Sequence, residues 1–443
     1  VVTDAATLSP AAIDDAAARI APAVQVSPLQ ISQRLSDRFG GHVYLKREDQ
    51  QAVRSYKIRG AYNVMSQLSA DELARGVVAA SAGNHAQGVA YAARQMGVSA
   101  RIYVPTNTPK QKCDRIRWHG GEFVELIAIG ETYDAAAAAA LDDVARTGAS
   151  WIHPFDDPRT AAGQGTIARE ILSQLPSPPD LVVVPIGGGG CIAGIATYLS
   201  EHSPSTRLVG VEPTGAVSMS AALVEGGPVT LGEIDSFVDG AAVRRIGELG
   251  YRVLAGRRAG VAAHPDLPAG STVRPGASLE AGQTQVLHVD EGAICSEMLD
   301  LYQDDGIVAE PAGTLAITAL EHIHIDPEWT VVCLVSGGNN DVSRYGEIIE
   351  RSLVHRGLKH YFLVNFPQEP GALRRFLDDV LGPDDDITLF EYVKRNNRET
   401  GAALVGIELG TPAGLSPLLA RMDASRLSCD RLEPGSAAYR YLT

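Results

Sequence analysis

The sequence predicts an α/β body built on open parallel sheets, followed by a small α+β module of ferredoxin-like plan. Three observations predict this. Through the first three quarters of the chain, short β-branched runs alternate with amphipathic helical runs. Several of those runs are almost continuously apolar, as strands of a parallel sheet covered on both faces must be. After about residue 350 the rhythm changes to strand, helix, strand, strand, helix, strand. At 443 residues the chain is long enough for two or three such units.

The elements follow in order. Residues 42–49, 76–81, 100–105, 122–127, 180–186, 207–213 and 330–338 read as strands. Between them SADELARG, NHAQGVAYAARQMG and TAAGQGTIAREILSQL read as helices. Ala135–Ala140 is low in complexity, but Thr132 can cap it and alanine is the best helix former, so it reads as one exposed-edge helix. Residues 256–283 are rich in Gly, Pro and Ala without a period and read as a long, mobile surface loop. A boundary falls near Arg351–Lys359. Beyond it, 360–366, 386–395, 403–409 and 428–432 read as strands. The helix 370–381 groups Leu373, Phe376, Leu377, Val380 and Leu381 on one face. The helix 415–422 stripes Leu415, Leu418, Leu419 and Met422.

Composition narrows the function. Lys+Arg is 38 and Asp+Glu is 53, a net charge of −15. Phosphate backbones and anionic lipid repel such a chain, so nucleic acid and membrane surfaces are poor partners. The five cysteines include no C-x-x-C and are sparse and odd in number, as in a reducing, cytoplasmic setting. The first residues lack the basic-then-apolar pattern of a secretory signal. Leu181–Leu199 carries no charge, but Pro185 and Gly187–Gly190 break it into strand, loop and helix.

Four motifs carry potential chemistry. Gly187, Gly188, Gly189 and Gly190 follow a strand and open a helix, where backbone N–H groups and the helix dipole attract a phosphate. Cys191-Ile192-Ala193 follows, so the loop is no Walker A motif. It fits either a single phosphate or a dinucleotide fingerprint on Gly188, Gly190 and Ala193, with Glu212 ending the next strand. The bland alternative is a tight turn. Lys57 could form a Schiff base with an aldehyde, given a lowered pKa; Arg54 and Arg59 would help lower it if near in space. Ser81, Ala82, Gly83, Asn84 and His85 run from a strand end into a helix, suiting a substrate carboxylate. An ordinary N-cap on Ser81 or Asn84 is about as good a reading, whereas a Ser81–His85 nucleophile pair lacks an orienting acid. Ser336 ends another strand and could donate a neutral hydrogen bond to a ring nitrogen. His322 and His324 lack a third ligand, so no metal site is expected.

Together, VYLKRED, SYKIRGAYN, SAGNHAQGVA, PIGGGGCIAGIA, EPAGTLAI and SGGNNDVSR make the chain resemble the fold type II pyridoxal-phosphate enzymes, and specifically the threonine dehydratases, over almost its whole length. FPQEPGALRRFLDDVL followed by ITLFEY resembles one ACT-like regulatory domain, as in the short biosynthetic form. The resemblance implies a catalytic body over 1–350, with a small subdomain at about 43–155 inserted in it, and an ACT-like domain over 351–443. It implies pyridoxal 5'-phosphate as cofactor. Lys57 matches the Schiff-base lysine and Asn84 the partner of the ring hydroxyl. Gly187–Gly190 and Cys191 match the phosphate cradle, and Ser336 the ring-nitrogen partner. Ser81, counted with Lys57 as catalytic, and its loop through His85 match the substrate-carboxylate site. L-threonine is then the substrate, with L-serine the other candidate. Isoleucine is the expected inhibitor, valine an opposing effector, and a homotetramer the assembly. Three departures stand out: Tyr at position 56, the long 256–283 loop, and Ser218 where serine racemases carry a metal-binding Asp. The alternatives are a serine/threonine deaminase of another physiological role, an NAD-binding oxidoreductase and a catalytically inert amino-acid sensor.

Overall fold

The structure is a computed structural model that describes residues 7–262, 272–273, 279–392, 399–425, 427–433, 436 and 439. The chain divides into two compact units, Val1–Asp341 and Val342–Thr443.

The first unit contains two sheets. The larger runs Leu29–Ile31, His42–Arg47, Thr330–Val335, Leu181–Pro185, Arg207–Pro213, Thr284–Val289, Gly260–Ala262, Thr272–Val273. Its neighbours are parallel except at the first pair. The smaller runs Val124–Ala128, Ala100–Val104, Val77–Ala80, Ser150–Trp151 and is wholly parallel. Every residue of Leu181–Pro185 is buried, which is why that strand reads as an unbroken apolar run. The helices Pro158–Gln174 and Gly190–His202 cover it with Ile167, Ile171, Ile192 and Ile195. Each such side chain stabilises the fold by about 1.5–3 kcal/mol on leaving water. The helix Tyr133–Thr147 begins as expected, with Thr132 accepting the Ala135 N–H at 3.2 Å, and buries Ala136 and Ala140.

The sequence reading missed Thr284–Val289, which sits well inside the large sheet. The loop expected over 256–283 is also partly wrong. Gly260–Ala262 pairs in parallel with both Thr284–Val289 and Thr272–Val273. The strands inside that loop are two or three residues long, too short for period-2 alternation to register. The mobile character assigned to 263–271 and 274–278 falls outside the described residues. No helix among the described residues is long and apolar enough to cross a membrane.

The second unit is a four-stranded antiparallel sheet in the order Asp386–Tyr392, Thr400–Glu408, Lys359–Pro367, Ser428–Leu432. With the helices Ala372–Asp379 and Leu415–Ala424 it forms the β-α-β-β-α-β plan. Its core gathers Phe362, Phe366, Phe376, Val405, Ile407, Leu418 and Met422. The expected apolar face of Ala372–Asp379 divides: Phe376 is buried, whereas Leu373 and Leu377 are each 42% exposed.

Candidate active site

Four loops leave the carboxyl ends of parallel strands, where open α/β sheets place ligands. They connect His42–Arg47 to the helix Lys57–Met65, Val77–Ala80 to Asn84–Met96, and Leu181–Pro185 to Gly190–His202. The fourth follows Thr330–Val335. A short backbone pairing joins the first loop to the last. Ser55 bridges Gly337, the Tyr56 N–H donates to Ser336 O at 3.1 Å, and the Gly338 N–H donates to Arg54 O at 2.9 Å. Arg54 takes φ 55° to make this turn. Lys57 and Ser336, far apart in sequence, are thereby held on adjoining strips of chain.

The Lys57 Nζ donates to the Pro154 carbonyl at 3.1 Å. Burial pulls this amine down to about 8, against the opposing pull of Cys191 and Glu310. Arg54 and Arg59 do not cause the lowering, contrary to the sequence expectation. Arg59 faces away into a buried network. Its guanidinium spans Glu48 at 2.7 and 2.8 Å and Glu170 at 2.7 and 2.9 Å, and Lys46 reaches the same Glu170 at 2.6 Å. This balanced quartet lies beneath the helix that begins with Lys57. Burial pushes the Glu48 carboxyl up, but the Arg59 charge, with Lys46 and Ser27, outweighs it and holds Glu48 below the usual carboxylate range.

The glycine loop has a packing reason as well as an electrostatic one. A Cβ on Gly188 would lie 2.1 Å from the Phe155 ring, and Gly189 takes φ +88°. Among the described residues, nothing accepts from the N–H groups of Gly188, Gly189, Gly190, Cys191 and Ile192. Those unpaired donors open a 13-residue helix and could hold an anion. Burial pushes the Cys191 thiol up to about 12, so its backbone N–H rather than its sulfur is the usable group.

The Ser81–His85 loop differs from its capping alternative. Gly83 occupies the N-cap of Asn84–Met96, and no side chain caps the helix. Ser81 Oγ closes its own turn by accepting the Gly83 N–H at 3.2 Å. The His85 Nε2–H donates to Ile152 O at 2.8 Å, and burial drives that imidazole down to about 3, so it stays neutral. Ser81 and His85 thus have separate partners. Asn84 Nδ2 donates to Glu310 Oε1 at 2.6 Å, and Asn84 Oδ1 accepts from Asn339 Nδ2 at 2.8 Å. Ser336 Oγ, 3% exposed, donates to Ala312 O at 3.2 Å.

Glu310 and Asn339 belong to this cluster, and the sequence reading singled out neither. Burial, with Asp239 nearby, pushes Glu310 up to about 7. One sequence signal was available: a carboxylate immediately before the fully buried helix Pro311–Thr318. Such a group must find partners or neutralise. Glu212, the acid of the dinucleotide reading, is already committed. It is fully buried and accepts from the Met219 and Ser220 N–H groups and from Ser220 Oγ. No ribose can reach it, which removes the support for the oxidoreductase alternative.

Comparison with known proteins shows the family. The family model for pyridoxal-phosphate dependent enzymes matches residues 20–337, and the C-terminal regulatory domain of threonine dehydratase matches 350–442. The fold and the first match define the class: a pyridoxal-phosphate dependent enzyme. The L-threonine dehydratase biosynthetic IlvA of Mycobacterium tuberculosis is 65% identical over 98% of this chain and 96% of its own length. That of Corynebacterium glutamicum is 56% identical over 97% of this chain and 94% of its own. Processed threonine deaminase isoform 2 from Solanum lycopersicum aligns with TM-score 0.68 and 37% identity over 78% of this chain and 88% of that one. Maize serine racemase aligns with TM-score 0.66 and 29% identity over 79% and 99%. Within its class, the chain belongs to the threonine dehydratases.

The residues present suit pyridoxal phosphate. The buried amine of Lys57 suits its aldehyde, the unpaired N–H groups of Gly188–Ile192 its phosphate, and Ser336 and Asn84 supply polar groups for its ring.

Proposed function

We propose that this protein deaminates L-threonine to 2-oxobutanoate and ammonia by β-elimination, with isoleucine acting as a feedback inhibitor through the second unit. The observation that carries the reading is the Lys57 amine, buried and poised near neutrality, on the same site as the unpaired glycine-loop donors. In this proposal Lys57 holds the cofactor aldehyde, Gly187–Cys191 its phosphate, Asn84 its ring oxygen and Ser336 its ring nitrogen.

Bound pyridoxal phosphate supplies the sink for the electron pair left at the α-carbon. The chain supplies the rest. The unpaired N–H groups at the start of Asn84–Met96, with the Ser81 turn, hold the substrate carboxylate and orient the α-proton. Lys57, as a free amine, would take that proton; a base near pKa 8 is matched to neutral pH. Loss of the β-hydroxyl as water and hydrolysis of the released enamine complete the change, so the water lost is regained and ammonia departs. Because Ser336 is neutral, it would give the ring nitrogen a hydrogen bond without a full proton, once its O–H turns from the Ala312 carbonyl to the ring. That favours prompt elimination over racemisation.

The amine's pKa has a measurable consequence. Only neutral Lys57 attacks an aldehyde. The rate at which apoprotein takes up pyridoxal phosphate should therefore rise with pH and level off above about 8. An unperturbed lysine would keep the rate rising to about 10. Stopped-flow absorbance decides between the two. The class and the lysine are tested together by the visible spectrum of the purified protein, borohydride reduction with peptide mapping, and threonine turnover. A colourless protein that stays inactive with added cofactor refutes the reading. The relative kcat/KM for serine and threonine tests substrate choice.

The regulatory half of the proposal is supported by a cavity of about 320 Å³ in the second unit, lined by Phe366, Glu369, Gly371, Leu373, Phe390 and Tyr392. Its aromatic wall and apolar floor suit a branched aliphatic side chain, and valine would compete there. Leu373→Glu puts a charge on this wall at a half-exposed position. It should raise the isoleucine concentration for half-inhibition about tenfold, the loss of roughly 1.4 kcal/mol of binding free energy, while leaving threonine turnover without effector unchanged. Unaltered inhibition refutes the site. Assembly as a homotetramer in the cytoplasm belongs to the same proposal.

A further inference from the structure

The helix Lys110–Gly120 comes from the smaller sheet's side of the first unit. It lays three residues of one face against the rim of the larger sheet. Lys112 pairs with Asp239. The Gln111 amide, oriented to donate, reaches both Asp341 oxygens at 2.6 and 2.9 Å. Between them Arg115 Nη2 donates to Asn339 Oδ1 at 3.3 Å. Asn339 Nδ2 donates onward to Val53 O and to Asn84 Oδ1, both at 2.8 Å, and Asn84 Nδ2 donates to Glu310 Oε1 at 2.6 Å.

This chain has a direction that hydrogen-bond chemistry fixes. A guanidinium only donates and a backbone carbonyl only accepts, whereas an amide side chain does both but at opposite ends. Arg115 must meet the oxygen of Asn339, and Val53 O must meet its nitrogen. The nitrogen therefore also faces Asn84, so Asn84 must turn its oxygen toward Asn339 and its NH₂ the other way. The Asn339 backbone N–H also supports Glu310, the acceptor at the far end. Without these constraints, the two ends of the Asn84 amide, nearly identical in shape, would compete for the same place.

We propose that Asn339, locked by Arg115, is a positioning residue that sets the direction of the Asn84 amide, so that Asn84 offers a donor and not an acceptor to the ring of the bound cofactor. The inference rests on the reading that Asn84 meets that ring.

The test uses the holoenzyme and three variants. Asn339→Asp replaces the donor with an acceptor, keeps the shape and gains a charge partner in Arg115. The new carboxylate then faces the Asn84 oxygen, acceptor against acceptor, and competes with Glu310 for the Asn84 NH₂, so the orientation that offers NH₂ to the ring loses its support from position 339. This variant should bind pyridoxal phosphate about tenfold or more weakly, the scale of one reversed hydrogen bond, and shift the visible absorption maximum of the bound cofactor. Arg115→Met should move both readings in the same direction by less, and Arg115→Lys should restore them. A purely structural role would lower the melting temperature of the apoprotein and leave the absorption of the bound cofactor unmoved. Native absorption and affinity in Asn339→Asp overturn the proposal. If that variant does not fold, native absorption and affinity in Arg115→Met overturn it instead. A native protein that binds no pyridoxal phosphate overturns the cofactor reading, and this inference with it.

Discussion

Lys57→Ala should lower threonine turnover by about 10⁴-fold or more, since in the proposed function it removes both the attachment of the cofactor aldehyde and the general base. The loss should be chemical and not structural. Lys57 begins the helix Lys57–Met65 and among the described residues makes one side-chain hydrogen bond, to the Pro154 carbonyl, so the melting temperature of the apoprotein should stay close to native. Two controls sharpen the result. Lys57→Arg should fail equally, because a guanidinium stays protonated and cannot act as base. A small exogenous amine should restore part of the Lys57→Ala activity by taking the proton in its place. Turnover above a tenth of native in Lys57→Ala would remove Lys57 from the chemistry altogether.

The second large effect concerns stability. Arg59 is fully buried and contacts both Glu48 and Glu170. Arg59→Met keeps much of the volume but leaves two buried carboxylates facing one remaining cation, Lys46. Breaking a buried pair from one side costs about 3–5 kcal/mol, a large share of an ordinary protein's stability of about 5–15 kcal/mol. Equilibrium unfolding in urea should show this loss. The pH dependence has a defined sign. Glu48 is held below its ordinary value in the folded protein. Its contribution is therefore fully present above the unfolded carboxylate value of about 4.3 and is lost as pH falls through the lower folded value. In Arg59→Met this acid-side loss should shrink or reverse, because burial then pushes the Glu48 carboxyl up without its main opposing charge, and a carboxyl raised in the folded protein gains stability as pH falls. A cost below about 1 kcal/mol would mean that the quartet contributes no more than a surface ion pair.

These two effects come from neighbours on one helix. Lys57 and Arg59 both lie in SYKIRG, and the sequence makes them equivalent basic residues. The fold separates them: one amine is buried without a carboxylate contact, and the other cation is placed between two carboxylates. Burial, and not the neighbouring arginines, makes Lys57 usable at neutral pH. The same distinction explains Glu212 and Glu310. Glu212 ends a strand where a ribose-binding acid is expected, yet it caps the following helix. Glu310, which the sequence reading did not single out, precedes a helix-starting proline and accepts from Asn84.

The class of fold was legible from residue order alone, because continuous apolar runs demand strands covered on both faces and their alternation with helices demands parallel connections. The candidate motifs were legible too, since the glycine loop, the Lys57 segment, the Ser81–His85 loop and Ser336 each follow a readable strand. The sheet order, the Thr284–Val289 strand and the partners of every side chain were not. Those depend on contacts between residues distant in the chain, such as Arg115 with Asn339 and Asn84 with Glu310. Local pattern reports which face of an element is apolar. Long-range packing settles which polar groups meet there, which way their amides face, and which amine is buried out of contact with a carboxylate.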